Sequence, residues 1–437
     1  MPSPLPLIKR LVRSQYLRQS GLYVGLQQLS QITIGLLQVW VLATHLPRDA
    51  YGVWGYSAAF AGMATIFTLP GVSHVITYGA AHGQDGVLVA GVRLRLKFGV
   101  LTSLTLLVLA AAHYHSGRID AAWLLFFAAL FLPAQQAFDG VDAFLTGLGN
   151  FRALFFRRLA AQGFMVVALW LGAAMTGSVV VCGGILYGGG VVVSGGLFLS
   201  LLKLRRNREM PDNFKGMIKQ FSLQSIGATL SRSMERPLLS AFVGFKELAA
   251  YNLAMTAQFP VSFGRLVDRI LISRLARSKG QLERRQVLLG MGLLFGVGLP
   301  AYVLMVAVVR VLVPWILPHY GDAVPLIEIL LLQAPFAWGA KPGMSWLLAH
   351  QENHRWHHRI VWGIIVARVG FISAGAWGFG MMGVAWAWVG VEGLTFLAVL
   401  GVLLAVTEEA EPKPPPTAKP EPDPKPVSPA KPEADHA

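Results

Sequence analysis

Charge is scarce in this 437-residue chain, and acidic charge scarcest: 22 Asp and Glu stand against 37 Lys and Arg, together only 14% of residues. A soluble domain carries about 25% charged residues to cover its surface. Water is therefore not the solvent of most of this chain. Cysteine is nearly absent as well, and the single Cys182 excludes a disulfide or a cysteine-based metal site within one chain. No Gly-rich loop ending in Lys-Ser/Thr is present, so the chain does not itself hydrolyse ATP through a phosphate loop. A nucleophile elbow, a His-Glu-x-x-His helix and a long external loop are missing too, which argues against a membrane-embedded polymerase or ligase.

What the chain has instead is apolar length. Hydrophobic residues make up 54%, and the mean hydropathy is +0.54. Runs of about 20 apolar residues, enough to cross a ~30 Å hydrocarbon core, fall at 20–43, 52–80, 97–115, 121–146, 158–177, 179–202, 217–243, 248–272, 286–312, 323–349, 359–378 and 381–405. The expected fold is an all-α polytopic membrane protein of about 12 transmembrane helices. Lys9, Arg10, Arg13 and Arg18 precede the first run as in a signal sequence. That run is too long for a signal-peptide core and reads as a retained anchor.

Basic residues set the orientation. With the N-terminus inside, the inner loops collect Arg93, Arg95 and Lys97, then Arg152, Arg157 and Arg158, then Lys203, Arg205, Arg206, Arg208, Lys215 and Lys219. Arg274, Arg277, Lys279, Arg284, Arg285, Arg355 and Arg359 continue the series, while the outer loops offer little beyond Arg48, Arg118 and Lys246. Both termini are expected in the cytoplasm. The net charge of +15 is explained by this one-sided placement, and nucleic acid is not an expected partner.

From Glu408 onward the composition changes, with Lys-Pro recurring at Lys413, Lys419, Lys425 and Lys431 among Pro, Glu and Ala. Such a segment cannot bury a core and is expected to be an extended, disordered cytoplasmic tail. It holds four of the 37 basic residues and seven of the 22 acidic ones, so the rest of the chain carries +18.

The two halves of the apolar region resemble each other. The turn ending in Tyr51 and the turn ending in Tyr251 each precede a small-residue helix and lie 200 residues apart. Asn150-Phe-Arg152 with Arg157 likewise matches Asn353-His-Arg355 with Arg359. An even number of spans separates the copies, so they would be parallel bundles related by an axis along the membrane normal. The expected organisation is a basic N-terminus (1–19), an N-terminal six-helix bundle (20–202), a cytoplasmic linker (203–216), a C-terminal six-helix bundle (217–405) and the tail (406–437).

Charges inside spans are costly and usually face a bundle interior or a wet cavity. They concentrate in the second half. Arg232, Arg236, Arg265, Lys341 and Arg368 are candidates for a cationic cavity that holds an anionic substrate, while Glu235, Asp268 and Glu392 are candidates for coupling to an ion. The competing reading of the same residues is helix-to-helix pairing, such as Arg232 with Glu235 or Arg368 with Glu392. The first half offers only Asp139 and Asp142, plus a neutral stripe of Ser20, Gln27, Gln31 and Gln38 on one face of the first span. Pro70, Pro133, Pro260, Pro335 and Pro342 fall inside spans, where proline frees carbonyls and bends helices. The cluster of His350, His354, His357 and His358 reads as a loop feature, and no metal or other cofactor is expected.

The Leu46-Pro-Arg-Asp-Ala-Tyr51-Gly turn, the Arg232-Ser-Met-Glu-Arg236 run with the Phe242–Ala254 stretch that follows, and the glycines Gly378, Gly380 and Gly383 carry a resemblance. Over roughly residues 10–405 the chain resembles the polysaccharide (O-antigen type) flippases of the multidrug/oligosaccharidyl-lipid/polysaccharide exporter superfamily. Those flippases often show Asp-Arg where this chain has Glu235-Arg236, a departure that keeps both charges. The resemblance implies an inner-membrane transporter, not an enzyme. It would move an undecaprenyl-diphosphate-linked oligosaccharide to the periplasmic leaflet for surface polysaccharide such as lipopolysaccharide O-antigen, among membrane lipids and alongside polysaccharide assembly proteins. An exporter of small organic cations is the alternative, and a membrane glycosyltransferase or polymerase the third reading.

Overall fold

The structure is a computed structural model, and it describes residues 15–203, 205, 207–258, 284–349 and 354–405. All regular secondary structure among the described residues is helical. The Lys-Pro tail, Pro260, Arg265, Asp268 and His350 lie outside the described residues.

The first half of the chain runs through α1 (Gln15–His45), α2 (Arg48–Ala64), α3 (Val72–Ala81), α4 (Gly86–His115), α5 (Ile119–Phe138), α6 (Gly140–Gly147), α7 (Phe151–Thr176), α8 (Val179–Gly184) and α9 (Gly190–Leu202). The second half comprises α10 (Phe214–Ser233), α11 (Glu235–Ser240), α12 (Phe245–Ala257), α13 (Arg284–Ile316), α14 (Val324–Leu331), α15 (Gln333–Ala349) and α16 (His354–Ala405). Seven helices among the described residues are long and apolar enough to cross a membrane, or eight if α2 and α3 form one bent span. The chain is a multi-pass membrane protein.

The run 52–80, which reads as a single span, is broken at Pro70, while the break at Gly380 falls between the two runs expected at 359–378 and 381–405. Pro70 lacks an N–H and disfavours helix at the residue before it. Leu69, the residue before it, leaves the helical region at φ 54, and α3 leaves the segment Arg48–Thr68 at 56°. Pro133, by contrast, stays inside a continuous α5, because its ring fills the space left by Gly99, whose absent Cβ would lie 2.7 Å from it. At Gly380 the backbone turns to φ 56 and ψ −135. A Cβ on Gly375 would meet the Gly383 carbonyl oxygen at 2.4 Å. In a continuous helix those residues would stand about 12 Å apart, so α16 is a hairpin of two arms, 354–379 and 381–405.

The sequence placed Arg93, Arg95 and Lys97 in an inner loop, and here the structure differs. α4 begins at Gly86 and carries all three residues. Arg95 is buried, with its Nη1 donating to the Gln136 carbonyl at 2.7 Å and its Nη2 to Ser73 Oγ at 2.8 Å. Two hydrogen bonds hold the guanidinium that hydropathy assigned to water, while its Nε is buried without a partner.

The halves share packing details. α4 lies against α5 in the first half, and α13 against α15 in the second. Gly99 seats Pro133 in one pair, and Gly298 seats Pro335 in the other, with its absent Cβ 2.6 Å from that proline. The turns before α2 and α12 mark one end of the molecule, called here the latch end; residues 203–213 mark the opposite, linker end. At the latch end one apolar core unites both halves, with Tyr51, Val53 and Tyr56 of α2 packed among Leu239, Leu248, Tyr251 and Leu326. Toward the linker end the cores separate. Val75, Leu88, Phe144 and Leu154 of the first half form one cluster, joined by Ile218 of α10 with Phe214, Met217 and Phe221 of the same helix packed against it, and Met291, Trp346, Ile360 and Leu403 form another.

Candidate functional site

The seam between the halves is built from their equivalent helices, α2 and α12. Small residues let the backbones meet: a Cβ on Gly52 would lie 1.8 Å from the Phe245 carbonyl oxygen, and one on Gly55 would fall on the Asn252 amide. Asn252 Nδ2 donates to the Tyr51 carbonyl at 3.4 Å, and Tyr51 meets Tyr320 edge-on at 6.2 Å. The rim of the seam is polar. Arg48 pairs with Asp322 across the halves and donates to the His319 carbonyl at 3.2 Å. Arg118 lies 5.5 Å over the Phe245 ring.

Beside this seam the second half holds a buried charge network. Glu235 starts α11 and is 2% exposed. Its Oε2 accepts from Trp388 Nε1 at 2.7 Å and from Tyr251 Oη at 3.2 Å. The Trp388 ring also carries the Arg368 guanidinium at 4.4 Å, and Arg368 Nη2 donates to Glu392 Oε1 at 3.3 Å. One indole thus holds an acid at its edge and a cation on its face. Burial makes each contact strong, because the low dielectric magnifies both the pairing and the cost of losing it.

Arg236 has a different setting. It is the strongest charged neighbour of Glu235, and it also acts on Tyr51 of the other half. Its Nε is buried without a hydrogen-bond partner. A guanidinium between the two halves with donors to spare can receive an anionic oxygen.

Of the cationic candidates, Arg236 and Arg368 therefore come together around Glu235 and Glu392, joined by Tyr251 and Trp388. Lys341 lies on α15 and is half-buried. The side chain of Arg232 is outside the described residues, like Arg265 and Asp268. On α1, Gln27 is buried and Gln31 and Gln38 are half-buried. The first half has its own charge cluster, in which Arg158 Nε donates to Asp142 Oδ2 at 2.6 Å and Asp139 interacts with Arg95, Asp142 and Arg158. Glu328 is taken by Arg310, through bonds of 2.6 and 3.1 Å. Between the arms of α16 runs an apolar groove of about 330 Å³, lined by Ile360, Ile364, Val391, Leu394 and Val402, with Arg359 on its wall. Among the described residues no group of His, Cys, Asp and Glu is placed to hold a metal.

Sequence reasoning missed Trp388, Arg95 and the Arg48–Asp322 latch. Trp388 stood in a run of Ala, Trp and Gly that reads as ordinary apolar helix. Only Tyr251 carried a signal, as one of the two repeated turn residues.

No family model matches the chain, and no curated protein matches it by sequence. Solved structures do match. The lipid II flippase MurJ in an inward closed conformation superposes with a TM-score of 0.63 over 88% of this chain and 87% of its own, at 13% identity. An outward-facing multidrug resistance MATE transporter gives 0.63 over 91% and 99%, at 16% identity, and an inward-facing one 0.59 over 87% and 95%, at 18%. The chain shares the fold of this lipid II flippase and of these MATE transporters of the MOP superfamily, so the fold alone does not choose a substrate.

Proposed function

We propose that this MOP-fold chain is a flippase, not an enzyme. Its substrate would be a lipid-diphosphate-linked oligosaccharide, carried from the cytoplasmic to the periplasmic leaflet of the inner membrane for surface polysaccharide biosynthesis. The observation that carries this reading is Arg236, a guanidinium at the seam between the halves whose Nε has no partner. A diphosphate offers the acceptor oxygens that a partnerless donor lacks. Arg232, Arg265, Lys341 and Arg368 complete the proposed cationic wall, and Gln27, Gln31 and Gln38 the neutral wall opposite. The lipid tail stays in the bilayer while the sugar and diphosphate pass between the helices.

The mechanism follows from two six-helix bundles, 20–202 and 217–405, that form twelve spans and rock about the seam between α2 and α12. In this reading both termini lie in the cytoplasm, on the side of the basic inner loops. With that orientation the Arg48–Asp322 pair would latch the outer end. Glu235, Asp268 and Glu392 are the carboxylates through which an ion gradient would act.

The likeness to multidrug MATE transporters supports a second reading, export of small organic cations. That reading requires an acidic passage, so the two separate under one experiment. In a strain deleted for this protein, surface polysaccharide is measured after complementation with the wild type, Arg236→Gln, and Arg236→Gln combined with Lys341→Gln and Arg368→Gln. Loss of surface polysaccharide with intact membrane insertion supports the flippase. Full polysaccharide in the combined variant refutes it, and retained drug resistance there supports the exporter.

A further inference from the structure

The buried network poses a question of charge balance. Two carboxylates, Glu235 and Glu392, face two guanidiniums, Arg236 and Arg368, and these four described charges sum to zero. Glu235 Oε2 is already shared by Trp388 and Tyr251, and Glu392 Oε1 by Arg368. The buried atoms left without partners are donors, Nε of Arg236 and Nε of Arg368. These two donors call for an acceptor, which a metal cation does not supply. A sodium ion would need several oxygen ligands stripped from these same bonds, beside two fixed positive charges.

We infer that Arg368 is a tethered counter-ion. Held 4.4 Å over the Trp388 ring and bonded to Glu392, its guanidinium occupies as part of the chain the place a coupling metal cation would take between the two acids. The Glu235–Glu392 site is thereby closed to sodium and potassium. Trp388 keeps the arginine in register, since its ring supports the guanidinium while its N–H fixes the far acid. Exchange of this one residue converts the site from a self-neutralised network to an open anionic pocket. The inference rests on the coupling role proposed for these carboxylates, but its test reads ion binding rather than transport. It can fail while the flippase reading stands.

The test measures thermal unfolding of the purified full-length protein in detergent, in sodium, potassium or N-methylglucamine chloride at constant ionic strength. Wild type and Arg368→Lys are expected to unfold at the same temperature in all three salts. Arg368→Met, with the shape kept and the charge removed, is expected to gain a saturable sodium- or potassium-dependent rise on the order of 2–4 °C. That rise should vanish when Glu392→Gln is added. A saturable, sodium-specific rise in the wild type that Glu235→Gln or Glu392→Gln abolishes overturns the inference. So does a folded Arg368→Met that ignores all three salts. The comparison of the wild type with Glu235→Gln and Glu392→Gln decides the matter even where Arg368→Met does not fold.

Discussion

Gly52 of α2 and Phe245 at the start of α12 meet backbone to backbone, so closely that a methyl group on Gly52 would sit 1.8 Å from the Phe245 carbonyl oxygen. The obstacle is main chain and cannot rotate away. Gly52→Ala is therefore expected to push the two halves apart at their seam and to destabilise the protein by about 1–3 kcal/mol, the usual range for overpacking. Gly35→Ala serves as the control, because nothing lies within 4 Å of its Cβ position. The check is thermal unfolding in detergent, and equal stability of the two variants would show that the seam is not tight.

Trp388 has two tasks that one substitution separates. Trp388→Phe keeps a ring under Arg368 but removes the 2.7 Å hydrogen bond to Glu235. A buried carboxylate that loses its shortest donor costs about 1–3 kcal/mol or more. Trp388→Leu loses the ring as well, with a further ~1 kcal/mol or more expected from the cation–π contact. Stability should fall in the order wild type, Phe, Leu. An unchanged melting temperature for Trp388→Phe would mean that Glu235 is held by Tyr251 alone.

The sequence made the membrane class legible because hydropathy and charge placement are local properties. Tyr51 and Tyr251 stand in turns that the sequence pairs, and those turns precede the two helices that meet at the seam. The Arg368–Glu392 contact was foreseen as a pairing of adjacent spans. What stayed hidden depends on geometry across the chain. Arg95 looked like a loop cation because its neighbours Arg93 and Lys97 are charged, and only folding brings the Gln136 carbonyl and Ser73 to it. Trp388 reads as an apolar residue until Glu235 and Arg368, 153 and 20 positions away, arrive at its edge and face. The break at Leu69 was signalled by Pro70, but its angle was not.

Arg95 gives a sharper version of the same point. If it were a loop cation, Arg95→Met would be nearly neutral. Buried with two hydrogen bonds and in charge contact with Asp139, it should instead cost about 2–4 kcal/mol, because the acid loses a positive neighbour inside the protein. Arg93→Met, on an exposed face of the same helix, should change stability by less than about 0.5 kcal/mol. A similar melting temperature for both variants would return Arg95 to the surface.

The latch between Arg48 and Asp322 calls for a different expectation, since it stands at the rim where Asp322 is half exposed. Exposed ion pairs contribute roughly 0–1 kcal/mol, so Arg48→Ala should barely move the unfolding temperature. A conformational balance is far more sensitive than a melting temperature. For two states of nearly equal free energy, 1 kcal/mol changes their ratio about fivefold. Arg48 also spans Tyr320, 5.1 Å beneath its guanidinium, and the His319 carbonyl, so its removal loosens the closed rim at three points. Arg48→Ala and Asp322→Ala should therefore each raise the accessibility of the seam from the latch end, read as faster labelling of a cysteine placed at Ala50 in a Cys182→Ala background. The double variant should add little to either single one, because both remove the same contact. Labelling that stays at the wild-type rate in all three would mean that the apolar core of Tyr51, Tyr251 and Leu248 holds the latch end shut without help from the ion pair.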